Sequence, residues 1–201
     1  MFEMAGNMSG DNFMAMGSDT AGSIRSPAGV NGLSGFKPSY GRLSRRGIFP
    51  LSWTQDHAGP LARTTEDCAF AMQVLAGYDP KDSAAVDAAV PDYLGPLNRP
   101  IKGMRVGWCT NWYEGVADAS VEKSLVDAVA TLKDLGVEIE PIEMPPLADF
   151  HACGRIIILS EAYAIHRRWI AAEPEMYGEF FRLRTRLGAF ISADPVSYTH
   201  L

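Results

Sequence analysis

The segment GSDTAGSIRSPA, residues 17–28, sets a serine, Ser23, directly after the small residues Ala21 and Gly22. A serine hydroxyl is a weak nucleophile that needs an adjacent base, and the oxyanion that its attack creates needs preorganised donors. The segment offers four consecutive backbone N–H groups beside this hydroxyl, and Gly22 is free to adopt a positive φ. Asp19 can accept backbone hydrogen bonds and hold such a loop. These residues therefore suit acyl transfer at Ser23.

Two simpler interpretations of this segment stay open on spacing alone. A loop of Gly, Ser and Asp is commonly only a turn, and Ser26-Pro27 can begin a short helix without any catalytic role. A phosphate-binding loop is the other alternative, although the segment matches neither GxxxxGK[ST] nor GxGxxG.

The elements nearest to this segment are predicted to be short. A strand is expected over residues 12–16, and a strand, turn and strand over 35–50. Thr64 and Asp67 have the form of a capping box, so a helix should follow and end at Gly77.

The second half of the chain has the pattern of a parallel crossover. Residues 104–108 and 137–142 are predicted strands on either side of a helix that begins at Ser120 and ends before Gly136. Further helices are expected over 148–171 and 176–190. The fold class is therefore predicted to be α/β, with a mixed, mostly parallel sheet covered by helices.

The composition indicates a globular domain. It gives no sign of a surface for nucleic acid or an anionic membrane, and none of a metal site. The 201 residues are 47% hydrophobic and 21% charged, with a net charge of -6, which favours neither nucleic acid nor an anionic membrane as a direct partner. Three widely spaced cysteines suggest no metal site. The longest apolar run, residues 156–159, is too short to span a bilayer, and the N-terminus does not look like a signal peptide. A cytoplasmic protein is expected.

Three blocks of the sequence closely resemble the amidase signature family. They are GSDTAGSIRSPAG at 17–29, GLSGFKPSYGRLSRRGI at 32–48 and QDHAGPLARTTEDCAFAMQVLAGYDPKDS at 55–83. The later segments VPDY, IKGMRVGW and EAYAIH are similar to the same family. The resemblance extends over roughly residues 12–195.

The resemblance implies a Ser–cis-Ser–Lys triad that cleaves small-molecule carboxamides through an acyl-enzyme, without a cofactor or metal. Ser23 matches the nucleophile, and the backbone of Thr20, Ala21, Gly22 and Ser23 matches the oxyanion hole. The family usually has Gly where Ala21 stands. A homodimer is compatible with this assignment.

The same resemblance implies that two of the three catalytic residues are missing. The bridging serine and the lysine lie upstream of the nucleophile in the family, whereas only twenty-two residues precede Ser23 and none forms that segment. Lys37 matches a different family element and is expected to be structural. Residues 1–195 are therefore interpreted as a partial amidase domain, and residues 196–201, VSYTHL, as a suspected adapter-derived artefact.

Several other polar residues are candidates for the site. Arg25 can bind a carboxylate-bearing substrate or, more simply, pair with an acid of its own loop. Asp56 and His57 are expected to be structural. Glu161 and His166, five residues apart on a helix, are interpreted as polar positions rather than a metal pair. The remaining arginines of the last helix are assigned to a solvated face: Arg182, Arg184 and Arg186.

Three functions remain in competition. The first is a hydrolase of carboxamide C–N bonds. The second is the A subunit of a tRNA-dependent amidotransferase, which hydrolyses glutamine and passes ammonia onward; its partner would be a B-type subunit. The third is a catalytically inactive truncated remnant. The sequence does not identify the amide.

Overall fold

The computed structural model describes residues 14–191. The predicted strand at 12–16 therefore begins outside the described residues, and residues 196–201 lie outside them. The strands are β1 Met14–Asp19, β2 Ser34–Gly35, β3 His57–Ala62, β4 Arg105–Cys109 and β5 Glu138–Ile142. The helices are α1 Arg25–Val30, α2 Thr65–Leu75, α3 Ala119–Asp134, α4 Leu147–Ala172 and α5 Glu179–Arg186, with 3₁₀ turns at Pro174–Met176 and Leu187–Phe190.

The chain divides into two compact units. Among the described residues, the first contains residues 14–97 and 154–191, and the second contains residues 98–153. The α/β class is confirmed, because helices accompany strands in both units. No helix within residues 14–191 has the length and apolar content of a membrane span.

The sheet of the first unit is antiparallel, with β3 between β1 and β2. Gly17 of β1 lies opposite Gly59 of β3, and a Cβ at Gly17 would stand 2.9 Å from the Leu61 side chain. This close approach lets Ile24, the residue just before α1, pack with Ala28 and Leu61 in the core. The sheet therefore fixes the loop that connects β1 to α1.

Helix α2 confirms the capping box. The Thr64 side chain accepts a hydrogen bond from the Asp67 N–H, and the Asp67 carboxylate accepts one from the Thr64 N–H. Two backbone N–H groups at the start of the helix therefore have acceptors. Cys68 and Met72 are buried, as their spacing predicts. Leu75 is instead half-exposed at the helix end.

The second unit confirms the crossover. Strands β4 and β5 pair in parallel around α3, and Gly136 adopts φ +82° just past the helix, where a left-handed residue ends it. The predicted start at Ser120 was wrong by two residues, since Asp118 is the N-cap and makes no side-chain cap bond. Helix α3 has no buried residue within the described structure.

Three further expectations need correction. Within 35–50 only Gly35 belongs to a strand, because this segment bonds to the later connecting residues: Ser44 donates to Asp79, and the Arg45 N–H donates to Asp82. The helix expected over 176–190 is shorter, with 3₁₀ turns on both sides. Parallel pairing does not predominate in the described residues, where two of three strand pairings are antiparallel.

Candidate active site

The loop between β1 and α1 carries the predicted site. β1 ends at Asp19 and α1 begins at Arg25. The Ser26 N–H donates to the Gly22 carbonyl at 2.7 Å, which closes the turn. Gly22 has φ +127°, and a Cβ there would lie 2.8 Å from the Ser26 hydroxyl. This backbone conformation is one that only glycine adopts without strain.

The carboxylate of Asp19 holds this loop by accepting hydrogen bonds from its backbone. It is fully buried and accepts from the N–H groups of Gly22 at 2.6 Å and Ile24 at 3.2 Å. Arg25 adds hydrogen bonds from Nε at 3.0 Å and Nη2 at 3.1 Å. Burial raises the pKa of Asp19, but the bonds from Arg25, Gly22 and Ile24 outweigh it and lower the pKa to about 2. Asp19 therefore stays ionised and rigid, as a support for the loop.

Asp56 ties the start of the loop to a second segment. Its Oδ1 accepts from the Thr20 hydroxyl at 2.6 Å, and its Oδ2 accepts from the N–H groups of Leu51 at 2.8 Å and Ser52 at 3.0 Å. With these bonds the buried carboxylate is occupied on both oxygens, which supports the predicted structural role. Neighbouring His57 contacts the Gln55 carbonyl through Nδ1 at 2.6 Å.

Helix α4 holds that second segment by two side chains. Glu161 accepts hydrogen bonds from the hydroxyl groups of Ser52 and Thr54 and from the Thr54 N–H. His166 is buried and lies 2.9 Å from the Pro50 carbonyl through Nε2, which must therefore donate. Residues 50–54 are thus held against α4, and both side chains serve this contact.

A cavity of about 430 Å³ opens beside the loop. Its lining combines the small polar residues of the loop with apolar side chains and one arginine: Thr20, Ala21, Gly22, Ser23, Ser26, Pro27, Val30, Leu51, Ile158 and Arg184. A pocket of this size and mixed lining is typical of a small-molecule site.

Ser23 lies half-buried in this lining. Its hydroxyl forms no hydrogen bond with any residue of the range 14–191, and neither do the N–H groups of Ala21 and Ser23. An unbonded hydroxyl beside unbonded N–H groups in a concave site is the arrangement that acyl transfer uses.

Four of the five residues predicted for the site line the pocket, namely Thr20, Ala21, Gly22 and Ser23, and the hydrogen bonds bear on two of the proposed roles. The N–H of Gly22 donates to Asp19 and is not available to a substrate oxyanion. Arg25 pairs with Asp19 instead of lining the pocket, which favours the pairing alternative. Lys37 donates to the Pro38 carbonyl and does not line the pocket either.

Sequence reasoning missed the part of the pocket lining that α4 and α5 contribute. Ile158 lies on α4 and Arg184 on α5, more than a hundred residues from Ser23 along the chain. An arginine on an amphipathic surface helix carries no sign of the pocket that tertiary packing places beside it, so only the three-dimensional structure could identify it.

Comparisons with known proteins identify the family of this chain. The profile of the Amidase family matches residues 9–190. An amidase of Pseudomonas putida is 37% identical over 182 residues, covering 90% of this chain and 39% of that protein. The A subunit of the glutamyl-tRNA(Gln) amidotransferase of Carboxydothermus hydrogenoformans is 44% identical over 136 residues, covering 68% of this chain and 28% of that protein.

A solved structure extends the likeness to the fold. It is an inhibitor-bound vestigial protein complex described as revealing the evolutionary origins of an s-triazine catabolic enzyme. It superposes with a TM-score of 0.85 at 29% identity, covering 93% of this chain and 40% of that one. The chain thus spans 28–40% of the length of these relatives. Because the family profile matches nearly all of its residues, the chain belongs to the Amidase family.

Proposed function

We propose that this chain carries the nucleophile of a serine amidohydrolase, with Ser23 as the attacking residue. The observation that supports this most strongly is the Ser23 hydroxyl in a pocket, beside N–H groups that, like the hydroxyl, have no hydrogen-bond partner among residues 14–191. Membership of the Amidase family supports the choice of a carboxamide as substrate.

The proposed chemistry has two steps. The Ser23 oxygen attacks the amide carbonyl carbon, and the carbonyl oxygen takes negative charge that the N–H groups of Ala21 and Ser23 stabilise. The base then returns the Ser23 proton to the amide nitrogen, the C–N bond breaks, neutral amine or ammonia leaves, and an ester to Ser23 remains. Water hydrolyses this ester, which releases the carboxylic acid and restores the hydroxyl.

The base that takes the proton of Ser23 is proposed to be a lysine acting through a bridging serine, as the family resemblance implies. No lysine within residues 14–191 lines the pocket. We therefore propose that both groups come from outside the described residues. A cytoplasmic location and a homodimer are further parts of this proposal.

The test uses protein expressed from the complete open reading frame that contains these codons. Hydrolysis of a panel of primary amides is followed by ammonia release, together with labelling by a serine-directed fluorophosphonate. Ser23→Ala should abolish both while the melting temperature stays unchanged. Ser124→Ala is the matched control, because this exposed hydroxyl only bonds back to the Ser120 carbonyl of its own helix. Unchanged turnover in Ser23→Ala would refute the assignment, and absence of turnover and labelling in the wild type would favour an inactive remnant.

A second candidate function is glutamine hydrolysis in a tRNA-dependent amidotransferase. The likeness to the A subunit of such an enzyme supports it. In that case a B-type subunit would be the partner and would raise glutaminase activity. Glutamine turnover with and without that partner, compared with the turnover of simple amides, separates the two functions.

A further inference from the structure

We infer that Glu161 is a positioning residue of the pocket: from α4 it holds Leu51 in the pocket lining, and it thereby sets which acyl groups the pocket prefers. This inference rests on the proposed function of Ser23 and concerns the specificity of the same site. Leu51 lines the pocket but belongs to no helix or strand. Its position therefore depends on the hydrogen bonds that its neighbours make.

Leu51 is held through the residues on both sides of it in the chain. The carbonyl of Pro50, just before it, lies 2.9 Å from Nε2 of His166. Ser52, just after it, is fully buried and donates its hydroxyl to Oε2 of Glu161. Both acidic and imidazole side chains come from α4, so this helix fixes the backbone before and after Leu51.

Glu161 makes the larger share of this attachment. Besides the Ser52 hydroxyl, its carboxylate accepts from the Thr54 N–H at 3.1 Å and from the Thr54 hydroxyl at 2.9 Å. Hydrogen bonds to an ionised carboxylate are shorter and stronger than those between neutral groups. Loss of the carboxylate would leave the buried Ser52 hydroxyl without its acceptor, and residues 51–54 could then shift away from α4.

The same side chain ties Leu51 to a second apolar residue of the pocket. Ile158 is almost fully buried and lines the pocket. It precedes Glu161 by three residues on α4, so the two lie on one face of that helix. The bonds from Glu161 to residues 52–54 thus fix Leu51 relative to Ile158. Two apolar side chains in a fixed relation let a pocket distinguish acyl groups that differ by a methylene group.

The nucleophile loop is held by a different carboxylate. Asp56 accepts from the Thr20 hydroxyl and from the backbone N–H groups of residues 51–52, and a substitution at Glu161 removes none of these donors or acceptors. Such a substitution should therefore change the fit of the acyl group more than the reactivity of Ser23.

The experiment compares four primary amides on protein from the complete open reading frame: acetamide, butanamide, 3-methylbutanamide and 3-phenylpropanamide. Titration with a fluorophosphonate gives the concentration of reactive Ser23, so that kcat refers to folded protein. In Glu161→Ala the ratio of the highest to the lowest kcat/KM in this series should shrink by about tenfold, the scale of one methylene group in an apolar pocket. The change should lie mainly in KM, and acetamide, with the smallest acyl group, should stay within about twofold.

Two milder variants keep the test independent of folding. Glu161→Gln retains the side-chain length and one acceptor oxygen, so it should keep part of the preference. Thr54→Val removes one hydrogen bond at an exposed residue and should shift the series in the same direction by less. Glu173→Ala, at an exposed position just beyond α4, is the control and should leave the series unchanged. A role confined to stability would lower the titrated fraction and preserve every ratio.

A binding measurement separates this inference from the catalytic one. In Ser23→Ala protein, calorimetry measures the Kd of the same four amides, and the added Glu161→Ala should narrow the range of Kd values by a similar factor. If the range narrows although the wild type cleaves no amide, the proposed function fails and the positioning role stands. If Glu161→Ala changes all four amides by one common factor, or if none of them binds, the inference is overturned.

Discussion

Thr20 donates a hydrogen bond of 2.6 Å to Asp56, and this bond joins the nucleophile loop to the segment at residues 51–56. The other carboxylate oxygen of Asp56 accepts from the N–H groups of Leu51 and Ser52. Leu51 also lines the pocket. One buried carboxylate therefore sets both the start of the loop and part of the pocket wall.

Replacement of Asp56 by alanine should destabilise the protein and reduce turnover. It leaves the Thr20 hydroxyl and two backbone N–H groups without their acceptor, which costs about 2 kcal/mol or more. Thr20→Val removes one bond of the set and should cost about 1 kcal/mol. Chemical denaturation and ammonia release measure both effects. Asp118→Ala, at an exposed carboxylate without a cap bond, should change neither, and an unaltered unfolding curve for Asp56→Ala would contradict the structural role.

Gly22 offers a test of the loop backbone. At φ +127° an alanine is strained, and its Cβ would meet the Ser26 hydroxyl at 2.8 Å, so Gly22→Ala should cost on the order of 1–3 kcal/mol. It should also slow fluorophosphonate labelling of Ser23, because the neighbouring N–H groups move. Gly29→Ala is the matched control in α1, where a Cβ meets no atom within 4 Å. Equal labelling rates in the two variants would count against a preorganised loop.

Patterns of residues that lie close together in the sequence were enough to predict part of this structure. The capping box at Thr64 and the left-handed Gly136 depend on residues a few positions apart, and both were predicted. The long helix was predicted over 148–171 and observed at Leu147–Ala172. The role of Asp19 as a loop support also followed from its position, because an Asp commonly bonds the backbone just after it.

The predictions that were wrong concern residues whose structure is set by contacts between distant segments of the chain. The residues at 35–50 were predicted as strand, turn and strand, yet Arg42 donates to the carbonyls of Ala88 and Ala89, so bonds to the later connecting segment replace a sheet ladder. Arg184 belongs to a helix that looks solvated, and only packing against α4 brings it to the pocket. Neither contact produces a pattern of residues that could be recognised in the sequence.

The ionised carboxylate of Asp19 should make the free energy of unfolding depend on pH in the acid range. Its pKa falls from 3.8 to about 2 on folding, so the unfolded chain binds the proton more readily and stability is lost as the pH falls from about 4 to about 2. The buried carboxylate contributes about 2 kcal/mol above this range. Asp19→Asn should remove that part of the acid dependence, as measured by urea unfolding between pH 2 and 5.

A substitution of Arg25, the ion-pair partner of Asp19, separates the effect of the ion pair on the pKa of Asp19 from the effect of the backbone hydrogen bonds. Arg25→Gln removes the charged donor, which should raise the pKa of Asp19 in the folded protein while the backbone bonds remain, so the acid loss should end at a higher pH and be smaller. The interpretation would be wrong if Arg25→Gln and wild type lost stability over the same pH range.

His166 should add a second pH dependence, closer to neutrality. Burial lowers the pKa of His166 from 6.5, although the Pro50 carbonyl and the charge of Asp56 act in the opposite direction. The unfolded chain therefore takes up the proton first, and stability should decline as the pH falls below about 6.5. His166→Gln can keep a donor for Pro50 and an acceptor for the Tyr177 hydroxyl, but it cannot titrate, so the decline between pH 7.5 and 5 should flatten. His151→Gln, at an exposed position, should retain the wild-type decline; identical curves for all three proteins would show that His166 is not the group responsible.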